Sequence, residues 1–479
     1  MIEQLRSQIA EFRAGAAPLE PDAAERRAVG SKALDHALAY WDQVETASSN
    51  RPWSEVFSLR LDPEFPEQGR DAAAVFDYVG ACIDAPGFAT TSPRFMAYIP
   101  GGGVPYSAFG DLLAATSNKY SGFASASPGA VRIENACVAW LASVIGYPED
   151  CAGTLTSGGS IANLTAVVAA REARDPDGGG AVYVTRFAHY CIDKALHISG
   201  RGRAPKREIA TDASYRMSLE ALEQALEEDR QSGIRPWLVV ASAGTVDTGA
   251  IDPLPEIAEL CRRYGAWLHV DGAYGGLFAL CEEGRAKLGG IEQADSVALD
   301  PHKTLFLPYG TGAALVRDGR LLQDAFSASG EYIRPLGESE VGPSPADLSP
   351  ELTRHFRAMR LWLPLQIAGI AAFRAAQAEK LALARYFHAC LSELDGWDPG
   401  PPPDLSVVAL RYIPKSGDPD SFNERLLKHL QQEGRVMLSG TRIDGTYYIR
   451  CVILCFRTHI EHVDEAIEAI VDGVRALNG

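Results

Sequence analysis

"WLVVASAGTVDTGAIDPLPEIAELCRRYGAWLHVDGA", residues 237–273, sets two apolar runs on either side of a segment with a different period. The runs WLVVASAG (237–244) and AWLHVDGA (266–273) are short and almost continuously apolar, as strands buried on both faces are. Between them, DPLPEIAELCRRYG (252–265) has helical periodicity, an early proline and a closing glycine. Strand, helix, strand at this spacing is a βαβ unit, so its two strands run parallel. AVYVTR (181–186), SVALD (296–300) and AALVRD (313–318) continue the alternation of short strands with helical segments. Residues from about 150 to 320 are therefore expected to form an α/β fold with a mainly parallel central sheet. Ligands of such sheets bind at the carboxyl ends of the strands.

With 479 residues the chain is too long for one simple core. A helical N-terminal segment with Pro-rich turns is expected over 1–85, a large domain over 86–365 and a small α/β domain over 366–479. The last contains a Pro-rich break, DPGPPPDLS (398–406), then a strand, a helix, two strands around TYYIRCVILCF and a closing helix from Thr458. The formal charge of −17 argues against nucleic acid and anionic membranes as partners, since both attract basic patches. No run approaches the roughly 18–20 apolar residues of a membrane span, and the charged start MIEQLRSQIAEFRAG lacks the apolar core of a secretory signal. Nine dispersed cysteines with no CxxC pair suit a reducing, cytoplasmic setting. Cys451 and Cys455 fall in a strand-like run and read as core thiols rather than metal ligands.

Three polar signals follow apolar strands, where a cleft is expected. Asp271 ends the strand of LHVDGAYGG; taken alone, it reads as a helix cap sooner than as a working carboxylate. Lys303, in SVALDPHKT, lies 32 residues further on. GTLTSGGSIANLTAVVAA (153–170) places a Ser/Gly loop before a helical run, and the free N–H groups of a helix start suit a phosphate. No GxGxxG follows a strand and no Walker-type loop is present, which disfavours a dinucleotide or nucleoside triphosphate. Lysine, carboxylate and phosphate-binding helix start on one parallel sheet are together what pyridoxal 5'-phosphate requires.

These motifs resemble those of the pyridoxal-phosphate-dependent group II decarboxylases, which have the fold-type I architecture. The resemblance runs from SPRFMAYIPGGGVPYSAFGDLLAA (92–115) through HVDGAYGG and DPHKT to LTRHFRAMRLWLPL (352–365) and RTHIEHVDEAIEAI (457–470). It implies that Lys303 is the Schiff-base lysine, that Asp271 pairs with the pyridinium nitrogen, and that Gly159 and Ser160 hold the phosphate. It further implies that His302 neighbours the phosphate or ring, and that His189 of RFAHYCIDKA stacks on the ring and takes part in catalysis. Tyr332 lies in SASGEYIRPLGESEVGPSPADLS (327–349), matching the family's mobile loop, whose tyrosine returns a proton to the substrate carbon once CO2 has left. Family members with phenylalanine there tend towards oxidative deamination, so Tyr332 favours simple decarboxylation. The family also implies a homodimer with shared active sites.

Two positions depart from the family pattern. Val246 of GTVDTGAID replaces a common threonine. Asp300 replaces the usual asparagine, adding a charge near the phosphate group, and is expected to point away or to accept from a backbone N–H. The substrate is expected to be an amino acid with an aromatic side chain: tryptophan, phenylalanine, tyrosine or DOPA. An acidic substrate calls for a cation, whereas residues 92–110, expected beside the substrate, are mainly aromatic, glycine and apolar after Arg94. Gly101, Gly102 and Gly103 either make room for a large ring or form a turn. Acidic amino-acid decarboxylation, and another lyase or aminotransferase reaction on the same fold, are the alternatives.

Overall fold

The computed structural model describes residues 1–51, 65–85, 87–327 and 342–478. The chain forms two compact units, Met1–Ser92 and Pro93–Gly479. In the first, helices α1 (Ile2–Gly15), α2 (Ala23–Gln43) and α3 (Ala72–Val79) have no buried residue. Helix α2 starts where Asp22 accepts from the N–H groups of Ala24 and Glu25, both at 2.8 Å.

The second unit opens with α4 (Pro105–Ser117) and α5 (Pro128–Ile145), after which strands and helices alternate. They run β1 (Ala152–Thr156), α6 (Gly159–Arg174), β2 (Ala181–Thr185), α7 (Cys191–Ile198), β3 (Lys206–Ile209), α8 (Leu219–Gln231) and β4 (Pro236–Ser242). Then come α9 (Leu254–Tyr264), β5 (Trp267–Gly272), α10 (Glu282–Lys287), β6 (Ser296–Leu299), α11 (Pro301–Thr304), β7 (Gly312–Val316) and α12 (Gly319–Phe326). The seven strands form one sheet in the order β1-β7-β6-β5-β4-β2-β3. Only β7 runs against the rest, pairing antiparallel with both β6 and β1. Every residue of β2, β4 and β7 is buried. Along β4, Val239 and Ala241 join one apolar cluster while Leu238 and Val240 join another, so both faces of the sheet are covered. That explains the continuous apolar runs in the sequence. Helix α9 ends as its residues dictate, with Gly265 in the left-handed region at φ 71°.

Two strands of this seven-stranded sheet escape the sequence reading. Residues 152–156 (AGTLT) are short and lead directly into the Ser/Gly loop. Residues 206–209 (KREI) are polar because β3 is an edge strand with one buried residue. The unit continues with α13 (Ala358–Ala368), α14 (Ile370–Ser392) and a second, antiparallel sheet. Its strands β8 (Trp397–Asp398), β9 (Val407–Tyr412), β10 (Ser439–Ile443) and β11 (Thr446–Val452) lie in the order β8-β9-β11-β10. They pack with α15 (Pro419–Glu433) and α16 (Ile460–Asn478) around a separate apolar cluster that contains Cys451.

Candidate active site

A cleft of about 290 Å³ opens among the carboxyl ends of β4, β5 and β6 and the start of α6. Asp271, at the end of β5, and Lys303, in the short helix after β6, both line it. Gly158, Gly159 and Ser160 at the start of α6, with His189, Asp300 and His302, complete the polar wall. All the sequence-predicted site residues except Tyr332 thus meet in one cleft; Tyr332 lies outside the described residues.

Lys303 Nζ stands 3.1 Å from Asp300 Oδ2. Burial, the largest influence, pulls the Lys303 pKa down, but the carboxylates of Asp300 and Asp271 outweigh it and hold the amine above its usual range. Asp300 is 2% exposed, and its Oδ1 has no hydrogen-bond partner among the described residues. The expectation that Asp300 points away or accepts from a backbone N–H is therefore corrected. As N-cap residue of α11 its side chain makes no capping bond, because the lysine three residues on faces it. Its Oδ2 also lies against the start of α6, where a Cβ added at Gly159 would come within 2.7 Å of it. A side chain at that approach would force the Asp300 carboxylate to move.

His302 donates from Nδ1 to the Thr311 carbonyl at 2.7 Å, leaving Nε2 3.7 Å from Asp300 Oδ2. Burial, chiefly, holds its pKa below the usual histidine range. His189 precedes α7, and its Nδ1 accepts from the Cys191 N–H at 3.2 Å. In the neutral ring the proton consequently sits on Nε2. Burial lowers the His189 pKa, with Lys303 adding to the effect and Asp271 opposing it.

Val246 lines the cleft, and its backbone carries a feature absent from the sequence reading. Arg450 of β11, 4% exposed, donates to the carbonyls of Val246 and Asp247, the latter at 3.2 Å. The second sheet thereby pins the loop after β4. Only a buried arginine in an otherwise apolar strand could have signalled this.

Residues 92–110, expected beside the substrate, do not line the cleft. Phe95, Met96 and Ala97 are buried in the core instead. Gly101 packs against the carbonyls of His302 and Lys303, and Gly102, at φ 89°, against Cys455 Sγ. Gly101 and Gly102 thus permit close backbone approach behind Lys303 rather than opening room for a ring. The cleft's larger nonpolar and aromatic side chains are Ile161, Phe187, Val246 and Tyr274.

The donor set fits pyridoxal phosphate. An amine and a carboxylate share the cleft with a helix start that has no side-chain cap, so its first N–H groups are available to an anion. Comparisons with known proteins agree. The model of the pyridoxal-dependent decarboxylase conserved domain matches residues 57–398. An aromatic-L-amino-acid decarboxylase of Bacillus atrophaeus is 34% identical over 457 residues, covering 93% of this chain and 94% of the relative. The crystal structure of Oryza sativa TDC with PLP and tryptamine superposes with a TM-score of 0.88 at 26% identity, over 96% of this chain and 99% of that one. Catharanthus roseus tryptophan decarboxylase in complex with L-tryptophan gives a TM-score of 0.88 at 25% identity, over the same shares. The chain belongs to the pyridoxal-dependent decarboxylase family and is an amino-acid decarboxylase with pyridoxal phosphate as cofactor.

Proposed function

We propose that the chain converts an aromatic L-amino acid, of the class of tryptophan, phenylalanine, tyrosine or DOPA, to its amine and CO2. One observation carries the choice of substrate. Among the described residues lining the cleft, Lys303 is the sole lysine or arginine, and the cofactor occupies its amine. Among these residues a second carboxylate on the substrate would find no guanidinium or ammonium to pair with, whereas Phe187 and Tyr274 offer aromatic surface. The similarity to the Bacillus atrophaeus enzyme supports the same reading.

The cofactor supplies an aldehyde for the amine and a ring that takes up the electron pair left behind by departing CO2. Lys303 would provide the amine that anchors the cofactor. Asp271 would accept from the ring nitrogen and keep it protonated. Gly159 and Ser160 would hold the phosphate, with His302 and Asp300 beside them. His189, neutral and bearing its proton on Nε2, would stack on the ring. Tyr332 would return a proton to the substrate Cα.

Further features support the wider reading. Helix α1 exposes Ile2, Leu5, Ile9 and Phe12, spaced along one helical stripe, as expected of a homodimer that buries them. No helix among the described residues is long and apolar enough to cross a membrane, and all nine cysteines are free, in keeping with a cytoplasmic setting. We retain residues 366–479 as the small domain, to which the second sheet belongs.

The test is a panel of L-amino acids assayed for CO2 and amine. Aromatic substrates should exceed glutamate and aspartate by at least about 100-fold in kcat/KM. Keto-acid formation without CO2, or a preference for the acidic pair, would overturn the reading. Tyr332→Phe belongs in the same assay, where unchanged kcat for amine release would remove its assigned part. Light scattering of the same preparation reads the dimer.

A further inference from the structure

We propose that His269 and Asn163 are positioning residues for the phosphate end of the cofactor, acting through a buried chain of hydrogen bonds that fixes the first peptide of α6. The inference rests on the reading that this helix start takes the phosphate. His269 lies two residues before Asp271 on β5, so the two side chains share one face of the sheet. Asp271 reaches the cleft; His269, 0% exposed, sits a layer below, beneath α6.

The direction of each bond follows from the chemistry of the groups. The Gly159 carbonyl can only accept, so the Asn163 atom 2.9 Å from it is the amide nitrogen, Nδ2. Asn163 Oδ1 therefore faces His269 Nε2 at 2.6 Å and, being an acceptor, requires the proton on Nε2. Burial keeps His269 neutral, its pKa pushed down to about 4. Its Nδ1 consequently accepts from the Ser296 hydroxyl at 2.9 Å. Ser296 Oγ in turn accepts from Trp267 Nε1–H at 2.8 Å, a group that can only donate. Ser296 stands opposite His269 in the β5–β6 register. Trp267, Asn163 and Ser296 are all buried, so no exposed group can substitute for a missing member. The result is one defined proton arrangement from the middle of the sheet to the helix start.

Its consequence appears at Ser160. The Gly159 carbonyl and the Ser160 N–H belong to one planar trans peptide and point in opposite directions. Holding the carbonyl back towards Asn163 fixes the N–H outwards, on the side where Gly159 and Ser160 border the cleft. A side-chain N-cap would ordinarily orient the first turn; α6 has Gly158 there and no such cap. Asn163, one turn inside the helix, takes over that task, and His269 fixes which way its amide faces.

The experiment measures dissociation constants of the apo-protein for pyridoxal phosphate and for pyridoxal, which lacks the phosphate, by absorbance. Asn163→Leu removes the donor to Gly159. His269→Leu removes the donor to Asn163, while His269→Gln keeps an N–H near the Nε2 position. Asn163→Leu and His269→Leu should each weaken pyridoxal phosphate by about 10-fold or more, while pyridoxal changes by less than about 2-fold. His269→Gln should stay within about 3-fold of the parent for both ligands. Equal weakening of both ligands, or unchanged phosphate-ligand affinity in a variant with parental thermal unfolding, overturns the inference. Should Asn163→Leu fail to fold, the two His269 variants decide, and an identical ligand ratio in both overturns it. A parent protein that binds both ligands equally would instead sink the phosphate reading itself.

Discussion

Two ion pairs of the second unit are made from similar parts and placed in different surroundings. Arg354 Nη2 meets Glu134 Oε1 at 2.8 Å, the two side chains being 0% and 1% exposed. Lys303 Nζ meets Asp300 Oδ2 at 3.1 Å, with side chains 22% and 2% exposed, beside the cleft. Burial raises the Glu134 pKa, and the guanidinium groups of Arg354 and Arg357 oppose the rise. Arg354 also donates to the Leu155 carbonyl and to Thr154 Oγ1, so the pair ties an interior helix to the sheet through β1. A guanidinium keeps its proton at every working pH and offers no nucleophilic lone pair. An ammonium can release its proton, and Lys303 has a cleft into which to react. One pair is a fixed brace; the other holds a group in readiness.

Lys303→Ala is the largest expected disturbance of that contrast. It should lower decarboxylation by at least about 10³-fold and abolish the absorbance of lysine-bound cofactor, while leaving thermal unfolding of the apo-protein close to the parent's. Substantial remaining turnover would break the distinction at its reactive end. Arg354→Leu should do the converse. It strands Glu134 in the interior and should cost about 3–5 kcal/mol in urea unfolding, with activity per folded molecule retained. A near-neutral result would mean that the brace contributes nothing. Asp300→Asn should have the smallest effect. Because Asp300 helps to raise the Lys303 pKa, its loss lowers that pKa and enlarges the neutral-amine fraction at a given pH. Apo-protein should then combine with pyridoxal phosphate a few-fold faster near neutral pH, with the pH–rate curve displaced to lower pH. A displacement to higher pH would show that Asp300 acts on something other than Lys303.

Much of this organisation can be read from the chain. The period of 237–273 identifies the βαβ unit because strands buried on both faces must be apolar throughout. Asp271 and Lys303 are legible because each follows such a strand, where a parallel sheet places its ligands, and the Ser/Gly helix start because a clean helical run follows it. The strands at 152–156 and 206–209 are harder to read. One merges with the Ser/Gly loop, and the other is an edge whose polar residues carry no apolar pattern. Arg354 and the Asn163–His269–Ser296 chain leave no local signal, and Arg450 leaves only a charge within an otherwise apolar strand. Their partners lie between 27 positions away in the chain, as Ser296 is from His269, and 220, as Glu134 is from Arg354.

The sequence by itself therefore determined five of the seven strands of the large sheet and the cleft edge, since periodicity and strand ends are local properties, while the resemblance to the decarboxylase family pointed to His189 and His302. Tertiary structure alone decided which atoms those groups face. Asp300 turns to Lys303 instead of to a backbone N–H, Gly101 and Gly102 serve close packing instead of ring space, and His269 reaches Asn163 across 106 positions of chain. Orientation and proton placement depend on which buried donors and acceptors remain to be satisfied once the layers have closed, and that accounting exists only in the folded molecule.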